Sequence, residues 1–324
     1  MNEPAAMPDA AHERADLIRL PYPASGDPAA LLPSLAEWFG AERERKTATV
    51  ALTYSAADAD TSATVDSRLA AFATRAVRDG VADRVTRDGD TLRLCVSRAT
   101  FWQHPSPWLT APSSGGAALR YVVEGGRRHP ARPPKPTGVV YRRYLPALGS
   151  AFTLRSVDVD EDTERFHRWM NADRVARFWD LRGTREEHAA YLAAQCADAH
   201  VHPLIGAFDD RPFAYFEAYW AKEDRIAPFY DAHDFDRGLH LLVGERDAHG
   251  PGKLYAWFNS VLHYLFLDDP RTQRIVGEPR IDNDRHIAYM HRLGGYTLKE
   301  FDFPHKRAAL VVLERDTFFT HHGP

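Results

Sequence analysis

The chain has 324 residues, enough for about two domains, and its 44% hydrophobic content is that of an ordinary globular protein with a sizeable core. Its 41 Lys and Arg against 45 Asp and Glu give a formal charge of −4, which offers no electrostatic case for a nucleic-acid partner. No apolar run approaches the ~18 residues of a spanning helix, so no membrane partner is expected.

In chain order, Met1–Arg14 is polar and Ala-rich with no apolar stretch, which predicts no secretory signal and a mobile tail over residues 1–18. An N-terminal α+β domain is expected over 19–148. Its strands are predicted at Thr47–Tyr54, Thr91–Val96, Leu119–Val123 and Val139–Tyr144. One helix near Asp66–Arg78 places Leu69, Phe72, Ala73 and Ala76 on one face. Residues 125–136, GGRRHPARPPKP, lack too many amide donors for a central strand and read as a basic, proline-rich loop or linker. A second domain is expected over 149–324. There a helix is predicted near Thr163–Asn171, and Thr184 with Glu187 forms a capping box that opens a helix through Gln195. Leu204–Phe208 and Phe213–Trp220 read as a hairpin turned at Asp209-Asp210-Arg211. Strand Leu239–Gly244 leads through the loop Glu245–Gly252 to an amphipathic helix carrying Leu254, Trp257, Phe258, Val261, Leu262 and Leu265. Strand Arg274–Glu278, a helix capped by Asn283, and strands Thr297–Phe303 and Ala308–Leu313 complete the pattern.

Three places carry chemistry. The loop His249-Gly250-Pro251-Gly252-Lys253 joins a strand to a helix. Its glycines let backbone N–H groups approach a pyrophosphate, the helix N-terminus adds partial positive charge, and Lys253 adds a point charge. A plain surface turn is the alternative. His240 lies on an apolar strand just before that loop, where a satisfied core histidine is the alternative. Glu278 ends the next strand, where Pro279 stops ladder pairing, so the two strands splay and open a slot. A carboxylate beside such a slot can serve as a general base, directly or through one water, a solvated strand-end acid being the alternative. Sixteen histidines are present, but His249, His263 and His291 fall at no ligand spacing, so no metal is expected. Cys95 and Cys196 have no CxxC partner and read as small buried hydrophobes in a reducing compartment. The chain is therefore expected to be cytoplasmic.

Several stretches resemble the siderophore-biosynthesis acyltransferases of the GNAT superfamily. They are His202-Pro203-Leu204-Ile205-Gly206, Tyr215 through Asp224 (YFEAYWAKED), Asp236-Arg237-Gly238-Leu239-His240, Phe266 through Thr272 (FLDDPRT), Glu278 through Asn283 (EPRIDN) and Lys299 through Arg307 (KEFDFPHKR). The resemblance covers about Phe152 to Phe319, and the FDFPHKR stretch is most similar to the aerobactin-type N6-hydroxylysine acetyltransferases, beside the mycobactin lysine acyltransferases. It implies a GNAT fold, a mixed and mostly antiparallel sheet flanked by helices. The first domain has only faint resemblance to anything, and a degenerate second GNAT-like unit stays open for it.

The resemblance further implies His240 and Glu278 as the pair assisting catalysis. It implies acetyl-CoA or another acyl-CoA as co-substrate at Leu242, Val243, Gly244, His249, Gly250, Gly252 and Lys253, with Asn283 near it. At the position three residues before the family's first loop glycine this chain has Asp247, whose charge is unfavourable to a pyrophosphate; Arg246 is the available substitute. Trp220, Lys222 and Asp224 are expected to line the acceptor pocket, a mixed loop packing on the core being the alternative. His305, Lys306 and Arg307 are expected to meet an acceptor carboxylate or the CoA phosphates, a solvated basic hairpin being the alternative. The implied reaction transfers an acetyl or other short acyl group to the nitrogen of a hydroxylated amino acid or diamine, N6-hydroxylysine foremost, giving a hydroxamate. His240 and Glu278 would accept the proton, and backbone amides near Val243 would polarise the thioester carbonyl. No covalent intermediate is needed, since neither cysteine lies near this site. Another small amine as acceptor, or a non-catalytic CoA-binding sensor or scaffold, are the competing readings. Beyond the small-molecule acceptor, expected partners are limited to other siderophore-assembly enzymes, with monomer and homodimer both open.

Overall fold

The computed structural model describes residues 17–41, 44–53, 62–89, 91–110, 118–248, 250–304 and 306–322. It divides into two units, Met1–Pro107 and Trp108–Pro324.

The first unit carries a four-stranded sheet. Strands β1 (Leu17–Pro21), β2 (Thr47–Thr53), β3 (Arg84–Asp88) and β4 (Thr91–Ser97) lie in the order β1-β2-β4-β3, with only β1 and β2 parallel. Helices α1 (Leu32–Ala41), α2 (Ser62–Arg78) and α3 (Arg98–Gln103) accompany it. Alternate residues Val50, Leu52, Leu94 and Val96 are buried, as a one-sided sheet requires, along with Leu35, Phe39, Leu69 and Phe72 from the helices. The reading from sequence anticipates β2, β4 and α2 but not α1 or β3. Tyr54, the expected end of β2, lies outside the described residues, as does the N-terminal tail to residue 16.

The second unit is built on eight strands. β7 (Val139–Leu145), β8 (Ser150–Ser156), β9 (Val201–Phe208), β10 (Arg211–Trp220), β11 (Arg237–Val243), β12 (Arg274–Gly277), β13 (Tyr296–Asp302) and β14 (Arg307–Glu314) lie in the order β13-β14-β12-β11-β10-β9-β8-β7. All neighbours are antiparallel except β11 and β12. The division between units falls at Pro107 and Trp108 rather than near Leu148, because β7 is hydrogen-bonded to β8 across a tight turn and so belongs to the second sheet. The proline-rich segment is also not all loop. β5 (Tyr121–Glu124) and β6 (Arg127–Pro130) form a two-stranded hairpin, a setting in which a terminal proline removes no ladder bond that matters.

Helices α4 (Val159–Met170), α5 (Asp173–Trp179) and α6 (Arg185–Ala197) precede β9. α4 starts four residues before the expected Thr163, since Asp158 is the cap and accepts from the N–H groups of Asp160 and Glu161. α5 was not expected. The Thr184–Glu187 capping box opens α6 with both reciprocal bonds made. The turn between β9 and β10 holds Asp209 and Asp210 at φ 47° and 60°, the geometry of a tight hairpin. On one face of the sheet Phe166 of α4 meets Tyr215 of β10, ring centroids 4.8 Å apart. On the other, Trp257 of α7 (Pro251–Asp268) meets Phe216 at 5.6 Å. The chain then passes through β12, whose last residue is Gly277 rather than Glu278, to α8 (Asp284–Arg292).

Candidate active site

β11 and β12 are paired at only two positions, Arg237 with Ile275 and Gly238 with Val276. Beyond them the ladder ends and the strands part. His240 lies on the β11 side of this opening and Glu278 immediately follows β12 on the other. Their side chains meet, with His240 Nε2 2.9 Å from Glu278 Oε1.

A third group completes the arrangement. Glu217 of β10 is directly opposite His240 in the antiparallel register, and its Oε2 lies 2.9 Å from His240 Nδ1. Both carboxylates are buried, each residue 4% exposed. Glu217 Oε1 accepts hydrogen bonds from Tyr191 of α6 at 2.6 Å and Tyr215 at 2.9 Å. Glu278 Oε2 accepts from Tyr219 at 2.8 Å. Two cations stand beside Glu278. Arg225 Nη2 is 3.5 Å and Lys306 Nζ 3.8 Å from Oε1, and Lys306 also donates to the Glu278 carbonyl at 2.7 Å. Trp179 of α5 closes over His240, ring centroids 6.3 Å apart, and donates to the Leu241 carbonyl at 3.3 Å.

The electrostatics follow from these contacts. Burial disfavours a charged His240, yet the Glu278 charge and the hydrogen bonds to both carboxylates push its pKa up to about 10. Burial likewise opposes the Glu278 charge, but His240, Lys306 and the Tyr219 hydroxyl outweigh it and hold the carboxyl well below the usual range. Glu217 is lowered in the same way by His240, Tyr191 and Tyr215 against its burial. Desolvation beside these anions raises the hydroxyls of Tyr215 and Tyr219 well above their ordinary value, so both remain donors.

Other residues singled out by sequence are placed as follows. Leu242 is buried in β11 opposite Tyr215, and Val243 pairs with Ala214. Gly244 N–H donates to Phe213 on the β10 side at 2.7 Å, so strand alternation turns the N–H of Val243 toward the opening. Arg174 of α5 donates to the carbonyls of Val243 and Gly244 and pins the strand end. At Gly250 and Gly252 an added Cβ would meet nothing within 4 Å, so the loop presents open backbone beside the N-terminus of α7. Lys253 is turned back and donates to the Asp247 carbonyl at 2.9 Å. Asn283 caps α8 by accepting from the His286 N–H at 3.3 Å. His249 and His305 lie outside the described residues.

The expected acceptor-lining residues do not all converge on His240. Trp220 is an odd number of residues from Glu217, so it points to the opposite face of β10. There its ring lies between the guanidinium groups of Arg132 and Arg237, 4.2 and 4.1 Å from the centroid. Lys222 donates to the Ala232 carbonyl at 2.6 Å. Asp224 accepts from the Ile226 N–H at 3.0 Å and has His200 at 3.7 Å. Arg307 pairs with Glu300 at 3.1 Å on the exposed β13–β14 ribbon, whereas Lys306 faces the site. Sequence reasoning missed Glu217, Tyr191, Tyr215, Tyr219 and Arg225. A glutamate in the middle of a ten-residue apolar strand was the available signal.

The comparisons with known proteins identify the family and the fold. Residues 158–303 match the model of the Acetyltransferase (GNAT) domain. The chain is 47% identical over 229 residues to the N(6)-hydroxylysine O-acetyltransferase of Escherichia coli, covering 70% of this chain and 72% of that protein. The chain belongs to this acyltransferase family. The hydroxyornithine transacylase of Ajellomyces capsulatus is 39% identical over 254 residues, 70% of this chain and 58% of that longer protein. Among solved structures, an uncharacterized protein of Bacillus halodurans superposes with a TM-score of 0.54 at 28% identity, covering 57% of this chain and 94% of that one. This acyltransferase therefore has the GNAT architecture, with His240, Glu217 and Glu278 gathered at the splay of its sheet. Both cysteines are free thiols, and neither is among the groups in contact with His240 or Glu278. Among the described residues, no group of three or more His, Cys, Asp or Glu side chains is placed to hold a metal ion, and no helix is long and apolar enough to cross a membrane.

Proposed function

We propose that this acyltransferase moves a short acyl group, acetyl foremost, from acyl-CoA to the nitrogen of an N-hydroxylated amino acid or diamine. N6-hydroxylysine is the favoured acceptor, the product is a hydroxamate, and the setting is siderophore assembly in the cytoplasm. The observation that carries this reading is the surround of Glu278 at the splay, where His240, Lys306 and the Tyr219 hydroxyl all favour its ionised form. A carboxylate so strongly held in its ionised form is a weak base. An alkylammonium, with a pKa of about 10.4, asks much of such a base. A hydroxylamine is already largely neutral, and its nitrogen becomes acidic only as the N–C bond forms. The relatives named for hydroxylysine and hydroxyornithine support the same acceptor class.

The residues present suit a CoA thioester. The open backbone at Gly250 and Gly252 and the N-terminus of α7 would hold the pyrophosphate. Arg246 is exposed in the same loop and would add a cation. The slot between β11 and β12 would take the pantetheine arm, and the outward N–H of Val243 would donate to the carbonyl oxygen. The thioester supplies an activated acyl group with a good leaving group. Within this chain, Glu278 would receive the nitrogen's proton, and Tyr219 and Lys306 would fix its orientation.

The test is release of free thiol from acetyl-CoA with N6-hydroxylysine, N5-hydroxyornithine, N-hydroxycadaverine and lysine as acceptors. The product is assayed for the colour of its iron(III) complex. Turnover with a hydroxylamine and an iron-binding product is expected. Thiol release without a ferric chromophore would indicate transfer to the hydroxyl oxygen or the α-amine and overturn the hydroxamate assignment. Turnover with lysine alone would overturn the acceptor class.

A further inference from the structure

His240 is held between two carboxylates, and that arrangement constrains its protons. Each ring nitrogen is 2.9 Å from a carboxylate oxygen, Nδ1 from Glu217 and Nε2 from Glu278. A neutral imidazole has one N–H and one lone pair, and an ionised carboxylate only accepts. A neutral ring would therefore press a lone pair against an oxygen on one side or the other. The alternative is to place a proton on a carboxyl group. Glu217 is poorly suited to carry it, since it is buried and already receives hydroxyl donors from Tyr191 and Tyr215. Hydrogen bonds of that kind favour the charged form. Glu278 receives Tyr219 on its other oxygen and has Arg225 and Lys306 beside it. The site then holds an imidazolium between two anions.

We infer that Glu217 is a positioning residue that keeps His240 doubly protonated, so that His240 is a fixed cation and Glu278 alone takes the proton from the acceptor nitrogen. This rests on the proposed acyl transfer and changes the division of labour expected from sequence, where both side chains accept the proton. As the N–C bond forms and the C–S bond breaks, the nitrogen's proton passes to Glu278. From there it passes to the departing sulfur, and Glu278 ends ionised as it began. The sulfur needs no stronger acid, because a thiol with a pKa of about 8.5 leaves readily as its thiolate. The His240 charge keeps Glu278 ionised and in place before each turnover.

The groups that bear on His240 come from every element around it. Glu217 and the Tyr219 ring, 4.7 Å away, come from β10. Tyr191 of α6 acts through Glu217 and Trp179 of α5 contributes no charge. Glu278 follows β12, with Arg225 and Lys306 acting through it. His286 of α8 is held neutral by burial, its pKa lowered to about 4. Removing Glu217 deletes one of the two anions in contact with the ring and leaves the rest.

The experiment is two-bond ¹⁵N–¹H NMR of the full chain labelled at histidine, with H240Q used to assign the signal. At pH 8.5, wild type should show both His240 ring nitrogens protonated. Y191F, which keeps the carboxylate, should look the same. E217Q should titrate at least one pH unit lower. A wild-type ring with one bare nitrogen at pH 8.5 overturns the inference, and that result stands even if E217Q does not fold. Titration of E217Q within 0.3 unit of wild type also overturns it. In parallel, kcat/KM of E217Q should fall at least tenfold more than that of wild type between pH 7 and 9, whereas equal profiles would refute the functional half. If wild type turns over no acceptor, that failure belongs to the proposed reaction, and the NMR result alone decides the role of Glu217.

Discussion

A Cβ on Gly238 would fall 2.0 Å from the ring of Tyr219, its partner across the β10–β11 ladder. Tyr219 is fully buried and donates to Glu278 at 2.8 Å, so the bare backbone at Gly238 leaves room for the ring that orients the proposed base. G238A should therefore displace Tyr219 and cost about 1–3 kcal/mol of stability by overpacking. Its kcat should fall at least tenfold. Y219F removes the hydroxyl without the clash, and should lose about tenfold in kcat with a smaller change in stability, about 1 kcal/mol. Urea midpoints and kcat on both variants check the pair. Full activity in G238A would mean that the ring position does not matter.

This pair also shows what the sequence makes legible. His240 and Glu278 are conspicuous because they interrupt or end apolar strands beside Gly and Pro signals, and the succession of strands and helices around them follows from the hydrophobic pattern. Glu217 and its tyrosines are hidden by parity. In Tyr215-Phe216-Glu217-Ala218-Tyr219-Trp220, every second residue faces His240, but which set does so depends on the pairing with β11, where Glu217 lies opposite His240. One-residue slips move a whole side-chain set to the other face. Trp220 was accordingly assigned to the acceptor pocket and instead packs between two guanidinium groups on the opposite side. The division between the units likewise turns on strand pairing. Local composition marks the proline-rich segment, yet the hairpin pairing of β7 with β8 places β7 in the second unit.

Arg225 is half-exposed, 51% by side chain, and stands 3.5 Å from a carboxylate that is already paired with His240. That surplus of positive charge at the site suits an acceptor with its own carboxylate. R225Q should raise KM for N6-hydroxylysine about tenfold and leave KM for N-hydroxycadaverine, which lacks the carboxylate, nearly unchanged. Steady-state kinetics on the two acceptors read the difference. An equal rise for both would show that Arg225 acts on Glu278 rather than on the acceptor.

Gly252 lies in the first turn of α7 with open space where a side chain would project. An aspartate there is favourable for the helix, since its charge opposes the N-terminal end of the macrodipole. It would be unfavourable for a pyrophosphate bound at the same end. G252D should keep its melting temperature within a few degrees while KM for acetyl-CoA rises tenfold or more and kcat changes little. A variant with unchanged KM would place the phosphates elsewhere.

His202 of β9 is 5% exposed and bonded to Ser156 Oγ at 2.8 Å and to the Tyr264 hydroxyl at 3.3 Å. Burial, helped by Arg237 and Lys135 against the opposing pull of Asp268, lowers its pKa to about 4. In the unfolded chain the same ring titrates near 6.5. Between those values the unfolded state binds a proton that the folded state refuses, so stability falls as pH falls from 6.5 to 4. The full effect is about 3 kcal/mol. His286 and His104 are shifted the same way and add to the slope. His240 does not, because a raised pKa gives a contribution that is already complete below 6.5 and is lost only toward 10. Glu278, lowered by its partners, loses its contribution only below about 4.5. The window from pH 6.5 to 4.5 therefore isolates the buried neutral histidines. Urea unfolding of H202Q should show lower stability than wild type at pH 7, from the lost packing and hydrogen bonds, but a visibly shallower decline by pH 4.5. Parallel pH dependence in the two proteins would show that protonation of His202 does not drive acid unfolding.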